Sequence, residues 1–127
     1  MRTLFKTVGL LVVILIVTIA GFVLWYGREQ NIDFTSYLRT PLNTCNGEVE
    51  VNTIEYETLL DWLSNNQSGW TNNPATFAPG YFYRSDEITV SVLDNFVVIN
   101  FLADGEWSQV QKSANTDAIR NECVGNS

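Results

Sequence analysis

Residues 8–26 read VGLLVVILIVTIAGFVLWY, nineteen positions without a charged side chain. As an α-helix at about 1.5 Å per residue, such a run spans about 28 Å, close to the ~30 Å hydrocarbon thickness of a bilayer. The run predicts a transmembrane helix. Trp25 and Tyr26 close it at one end, where amphipathic rings favour the membrane interface. A cleaved signal sequence is the competing reading. Arg2 and Lys6 would be its charged start, and Thr18-Ile19-Ala20 a weak small-residue site. The apolar run continues past that site through Phe22, Val23, Leu24 and Trp25, so a retained anchor is expected.

Arg2 and Lys6 precede the span, whereas Arg28 follows it together with Glu29 and Asp33. The positive-inside bias places residues 1–7 in the cytoplasm and the C-terminal part outside. In a bacterium this is a single-pass inner-membrane protein with a periplasmic domain. In a eukaryote it belongs to the plasma membrane or secretory pathway. Residues 27–46 are expected to form a stalk and residues 47–127 a small exported domain.

Only five basic residues, against all fourteen acids, lie beyond the span, a formal charge of −9. Phosphate binding needs Lys and Arg, so nucleic acid is excluded as a partner. A basic protein would be drawn to such a surface, although acidity also serves solubility alone. Cys45 and Cys123 are the only cysteines, and both lie on the exported side. Disulfides persist in oxidising compartments, so a bridge is expected. With no histidine and no second cysteine pair, a zinc site lacks ligands, and no metal or cofactor is expected.

The exported part reads as α+β. EVEVN, residues 48–52, alternates as a strand with Val49 and Val51 inward. Asn52 then reads as the cap of a helix bearing Tyr56, Leu59, Leu60, Trp62 and Leu63, with Glu55 closing a capping box. YFYR, ITVSVL, FVVINFL and EWSQVQK follow as strands of an antiparallel meander of four to five strands. FVVINFL is its central strand, and Asp104-Gly105 marks a hairpin. Asn115 or Thr116 is expected to cap a second helix running to Cys123.

No histidine means no Ser-His-Asp triad and no Cys-His pair. No phosphate loop, dinucleotide motif or zinc motif is present. Glu48 and Glu50 share a strand face and Glu55 and Glu57 a helix turn, which suits a wet surface and a helix dipole better than catalysis. The chain is not expected to be an enzyme. A pilin-like subunit would also combine an apolar N-terminal helix with a late cysteine bridge, but Leu10 follows Gly9 and Ile14 stands where an acidic residue is wanted.

Residues 64–80, SNNQSGWTNNPATFAPG, form a polar loop that nonetheless carries Trp70 and Phe77, with Tyr81, Phe82 and Tyr83 next in line. Long loops are often functional, and Trp and Tyr dominate binding hot spots. The expected partner-contacting set is Trp70, Phe77, Tyr81 and Tyr83. The plainer alternative is that the loop rings fold back and cap the sheet. The expected function is protein binding by a membrane-anchored periplasmic domain, in the manner of an immunity protein that neutralises an envelope-acting toxin. An accessory or assembly subunit of an inner-membrane complex is the alternative. If the anchor is retained, intact-mass analysis should find a chain that begins at or near Met1, and an N-terminus near Gly21 would contradict it.

Overall fold

The computed structural model describes residues 1–72 and 80–123. Helix α1, Arg2–Tyr26, is long and apolar enough to cross a membrane, and none of its hydrophobic window is buried against the rest of the chain. The strands are β1 Leu42–Thr44, β2 Gly47–Val49, β3 Thr71–Asn72, β4 Tyr81–Arg84, β5 Ile88–Val92, β6 Phe96–Ala103 and β7 Glu106–Ser113. Helix α2, Ile54–Asn65, lies between β2 and β3 in sequence. Among the described residues the sheet has seven strands, antiparallel throughout, in the order β2-β1-β4-β5-β6-β7-β3. The α+β class and the meander agree with the sequence. The strand count is higher because β1 was read as stalk and two-residue β3 as loop.

The register sets the core. Tyr83, Val90, Ile99 and Val110 stand side by side across β4 to β7. They join Tyr56, Leu59, Trp62 and Leu63 of α2 in one buried cluster. Strand β6, expected at the centre, lies one place from it, since β5 is the middle strand of the seven; β6 puts Val97, Ile99 and Phe101 in that cluster and buries Val98 on the other face. Its hairpin to β7 pairs Ala103 with Glu106, leaving Asp104 and Gly105 at φ 52 and 79. Two positive φ values suit the primed turns whose twist matches paired strands.

Three local expectations change. Val51 lies beyond the end of β2 and is exposed rather than inward. Thr53, not Asn52, caps α2, and its side chain accepts the Tyr56 N–H at 3.3 Å. Asn52 adopts a positive φ of 69 instead, and Glu55 accepts the Tyr81 hydroxyl at 2.9 Å rather than closing a capping box. The second helix is absent. Residues 117–119 form a turn, in which Arg120 N–H donates to Thr116 O at 2.8 Å and Asp117 N–H to the Asn115 side chain at 2.9 Å. The Asn115 side chain makes a local turn bond, and the Thr116 hydroxyl donates across to Leu93 O at 2.8 Å.

The segment expected as a stalk is mostly domain. Phe34, in a short 3₁₀ turn Phe34–Tyr37, is fully buried, and Leu38 and Leu42 are buried with it. Gln30 pairs with Trp70 through two backbone hydrogen bonds, of 2.7 and 3.2 Å, and Ile32 N–H donates to Gln67 O at 2.7 Å. Cys45 and Cys123 are bonded, with Cα atoms 5.5 Å apart, so the chain's end is tied to the β1–β2 turn. The bridge closes a span of 78 positions, for which chain-entropy reasoning gives roughly 4–5 kcal/mol and measured cases are nearer 2–4. Reduction should therefore lower the thermal midpoint of a domain this small, and an unchanged melt on adding reductant would contradict that contribution.

Candidate binding surface

The aromatic set expected to meet a partner is largely core. Trp70 is 0% exposed, Tyr81 3% and Tyr83 2%. Phe77 lies outside the described residues. Trp70 stands edge-on to Phe34 at 5.1 Å and to Trp62 at 6.4 Å, and its indole N–H donates to Asn66 O at 2.7 Å. Tyr81 and Tyr83 contact each other edge-to-face at 5.1 Å, and the Tyr83 hydroxyl donates to Ile119 O at 2.8 Å. Burial, and secondarily the nearby Tyr81 and Glu55, holds the Tyr83 hydroxyl far above the usual tyrosine range. These rings are structural, and the expected site must be given up at Trp70, Tyr81 and Tyr83.

The surface that is available lies on the other side of α2. Among the described residues beyond α1, the exposed large hydrophobic side chains are Val51, Ile54 and Trp107. Val51 is in the turn that enters α2, and Ile54 is its first residue, 88% exposed. Thr53 must turn outward from the helix axis to cap it, and Tyr56 must turn inward to the core. Helical geometry then leaves Ile54, Glu57 and Asp61 on the wet face. An isoleucine at that position gains nothing from the fold.

In sequence, the charges between Arg39 and Arg84 are of one sign. Residues 40–83 contain Glu48, Glu50, Glu55, Glu57 and Asp61 and no lysine or arginine. Four of the five cations beyond α1 have contacts of their own. Arg120 meets Asp94 at 2.9 Å and Asp117 at 3.8 Å, and Lys112 donates to Ser68 O at 2.6 Å. Arg39 donates to Ser36 O at 2.9 Å, and Arg84 lies over the Phe82 ring at 4.9 Å. The crowding is visible at Glu50. A hydrogen bond with Glu48, then like-charge repulsion from it, then slight burial raise the Glu50 carboxyl above its ordinary range.

No group of three or more metal-ligating side chains occurs among the described residues. A hollow of about 680 Å³ between the β5–β6 turn and the C-terminal tail carries Asp94, Arg120 and Glu122, of which Asp94 and Arg120 pair with each other. Nothing there arranges a nucleophile beside a base. The described surface thus offers exposed Val51 and Ile54 within an acid-rich stretch. No family model, curated protein or solved structure matches the chain.

The sequence held a signal for this surface. The stretch without a basic residue can be read directly, and Thr53 could have been weighed against Asn52 as the cap, which places Ile54 outward. Strict alternation at Val49 and Val51 pointed the other way. The carboxyl pair gives a direct check. Glu50 should titrate above the ordinary glutamate value in an NMR titration, and Glu48→Gln should bring it back down. Because its proton is held more tightly in the folded state, any stabilisation from the pair is lost as pH rises through the Glu50 pKa, and a cationic partner should release that proton. A Glu50 titration unmoved by Glu48→Gln would contradict the coupling.

Proposed function

We propose that this chain is a membrane-anchored, exported binding protein that holds a basic protein partner on the acidic face of α2. The concrete form is an immunity-like protein at a bacterial inner membrane that neutralises a toxin arriving in the periplasm. The observation that carries this reading is exposed Ile54, beside Val51, in a stretch with five acids and no bases. Interfaces combine a small desolvated apolar anchor with a charged rim, and the rim sets on-rate and salt dependence more than affinity. A rigid, disulfide-tied domain suits this task because little order is lost on binding. The lack of any histidine and of a catalytic grouping supports a role without chemistry of its own.

A second reading, an accessory or assembly subunit of a membrane complex, draws on α1. None of its hydrophobic window is buried against the rest of the described chain. Its glycines, Gly9 and Gly21, are too far apart for a small-residue packing pair, so α1 advertises lipid contact more than helix contact.

The test is recovery of partners by the full chain from solubilised envelopes, with wild type and Ile54→Asp compared at low and high salt. A basic protein should be retained by wild type, retained less at high salt and lost with Ile54→Asp. The thermal midpoint should stay within the ~0.5 kcal/mol expected of a surface change. For the purified partner, Ile54→Ala should weaken binding by about 1–2 kcal/mol, the range of a modest hot spot. Equal recovery by wild type and Ile54→Asp would reject this face. Recovery that instead depends on substitutions in α1 would favour the accessory reading.

A further inference from the structure

The link between α1 and the domain is very short. Gly27 N–H donates to Val23 O at 3.0 Å and Arg28 N–H to Trp25 O at 3.4 Å, so helical hydrogen bonding runs on past Tyr26. Gln30 is already paired with Trp70, and its side-chain amide donates to Asn72 Oδ1 at 3.0 Å. Only Glu29 separates the helical bonding from the domain's own. Four steps from residue 26 to residue 30, at ~3.3–3.6 Å each, reach at most about 13–14 Å. With α1 as a membrane anchor, on which this inference rests, the domain cannot stand clear of the bilayer.

The side it turns towards the anchor is identifiable. Trp25, Arg28, Gln30, Asn72 and Ser108 line one hollow of about 630 Å³. Trp25 ends the apolar run and therefore marks interface depth. Ser108 belongs to β7, so the start of β7 sits at that depth. The next residue back is Trp107, which is 56% exposed, stands opposite Leu102 in the β6–β7 pairing and by strand alternation projects from the other face of the sheet at the same end of β7. An indole that the fold leaves uncovered costs apolar hydration in bulk water. At the headgroup level its ring is sheltered and its N–H stays wet.

We infer that the domain rests on the headgroup region of the bilayer that holds α1, with Trp107 as a second interfacial anchor beside Trp25. Asp104 and Glu106 precede Trp107 in the hairpin and hold the contact shallow. They also disfavour anionic headgroups, so the bilayer suited to this contact is zwitterionic. The acidic face of α2 belongs to a different part of the chain and is untouched by this contact.

Contact-range fluorescence quenching tests the assignment. The full chain, its Trp25→Phe and Trp107→Phe variants and the double variant are placed in phosphatidylcholine vesicles, with and without bromine on the upper acyl chain. Trp62 and Trp70 are buried and serve as the unquenched background. Expected is quenching in wild type, reduced but retained quenching in each single variant, and loss of it in the double variant. Trp107→Phe quenched as fully as wild type, with Trp25→Phe unquenched, overturns the second anchor while α1 stays inserted. Quenching absent from every form shows that α1 is not in the membrane, which removes the anchor reading and this inference together. A Trp107 signal shielded only at high chain-to-lipid ratio identifies a second copy as the occupant and also overturns the inference.

Discussion

Trp70 joins three pieces of chain. Its backbone pairs with Gln30, just after α1; its ring packs on Phe34 and on Trp62 of α2; its indole N–H is held by Asn66 at the end of that helix. Edge-to-face aromatic pairs are worth about 0.5–1.5 kcal/mol each beyond the area they bury. Filling the position with a full indole excludes water from the seam where the membrane-proximal segment, α2 and the short edge strand β3 meet. A tryptophan in a polar loop is thus explained without a partner. In the described part of the loop, the Trp70 ring is turned inward to close the core.

The disulfide performs a related task at the other end of the chain. With a turn in place of a terminal helix, residues 114–123 have few backbone bonds of their own. They are held by Thr116, by Ile119 under the Tyr83 hydroxyl, by the Arg120–Asp94 pair and by the bond from Cys123 to Cys45. Both clamps tie chain ends to the sheet.

Much of this was legible in the sequence because it rests on periodicity and turn chemistry. The apolar run, the alternation in β5, the apolar β6 and the Asp104-Gly105 hairpin are local signals, and each formed as read. The cysteine pairing followed from compartment and count. What could not be read depended on tertiary competition. Residues 30–44 resemble a stalk until Phe34, Leu38 and Leu42 find the core. Thr53 outcompetes Asn52 for the cap because Asn52 is needed at positive φ in the preceding turn. Trp70, Tyr81 and Tyr83 have the composition of a binding surface, and only packing decides that they face inward. Ile54 was overlooked for the converse reason, since an isoleucine near a helix start reads as core until the cap position is fixed.

The central claim is that the Gln30–Trp70 clamp makes the membrane-proximal segment part of the cooperative domain. Amide hydrogen exchange on the full chain in a bilayer measures it directly. The account predicts that the Gln30, Ile32 and Trp70 amides exchange only with the opening of the whole sheet, as slowly as the amides of β6. Rapid exchange at Gln30 and Ile32 with β6 still protected would show a loose stalk and contradict it.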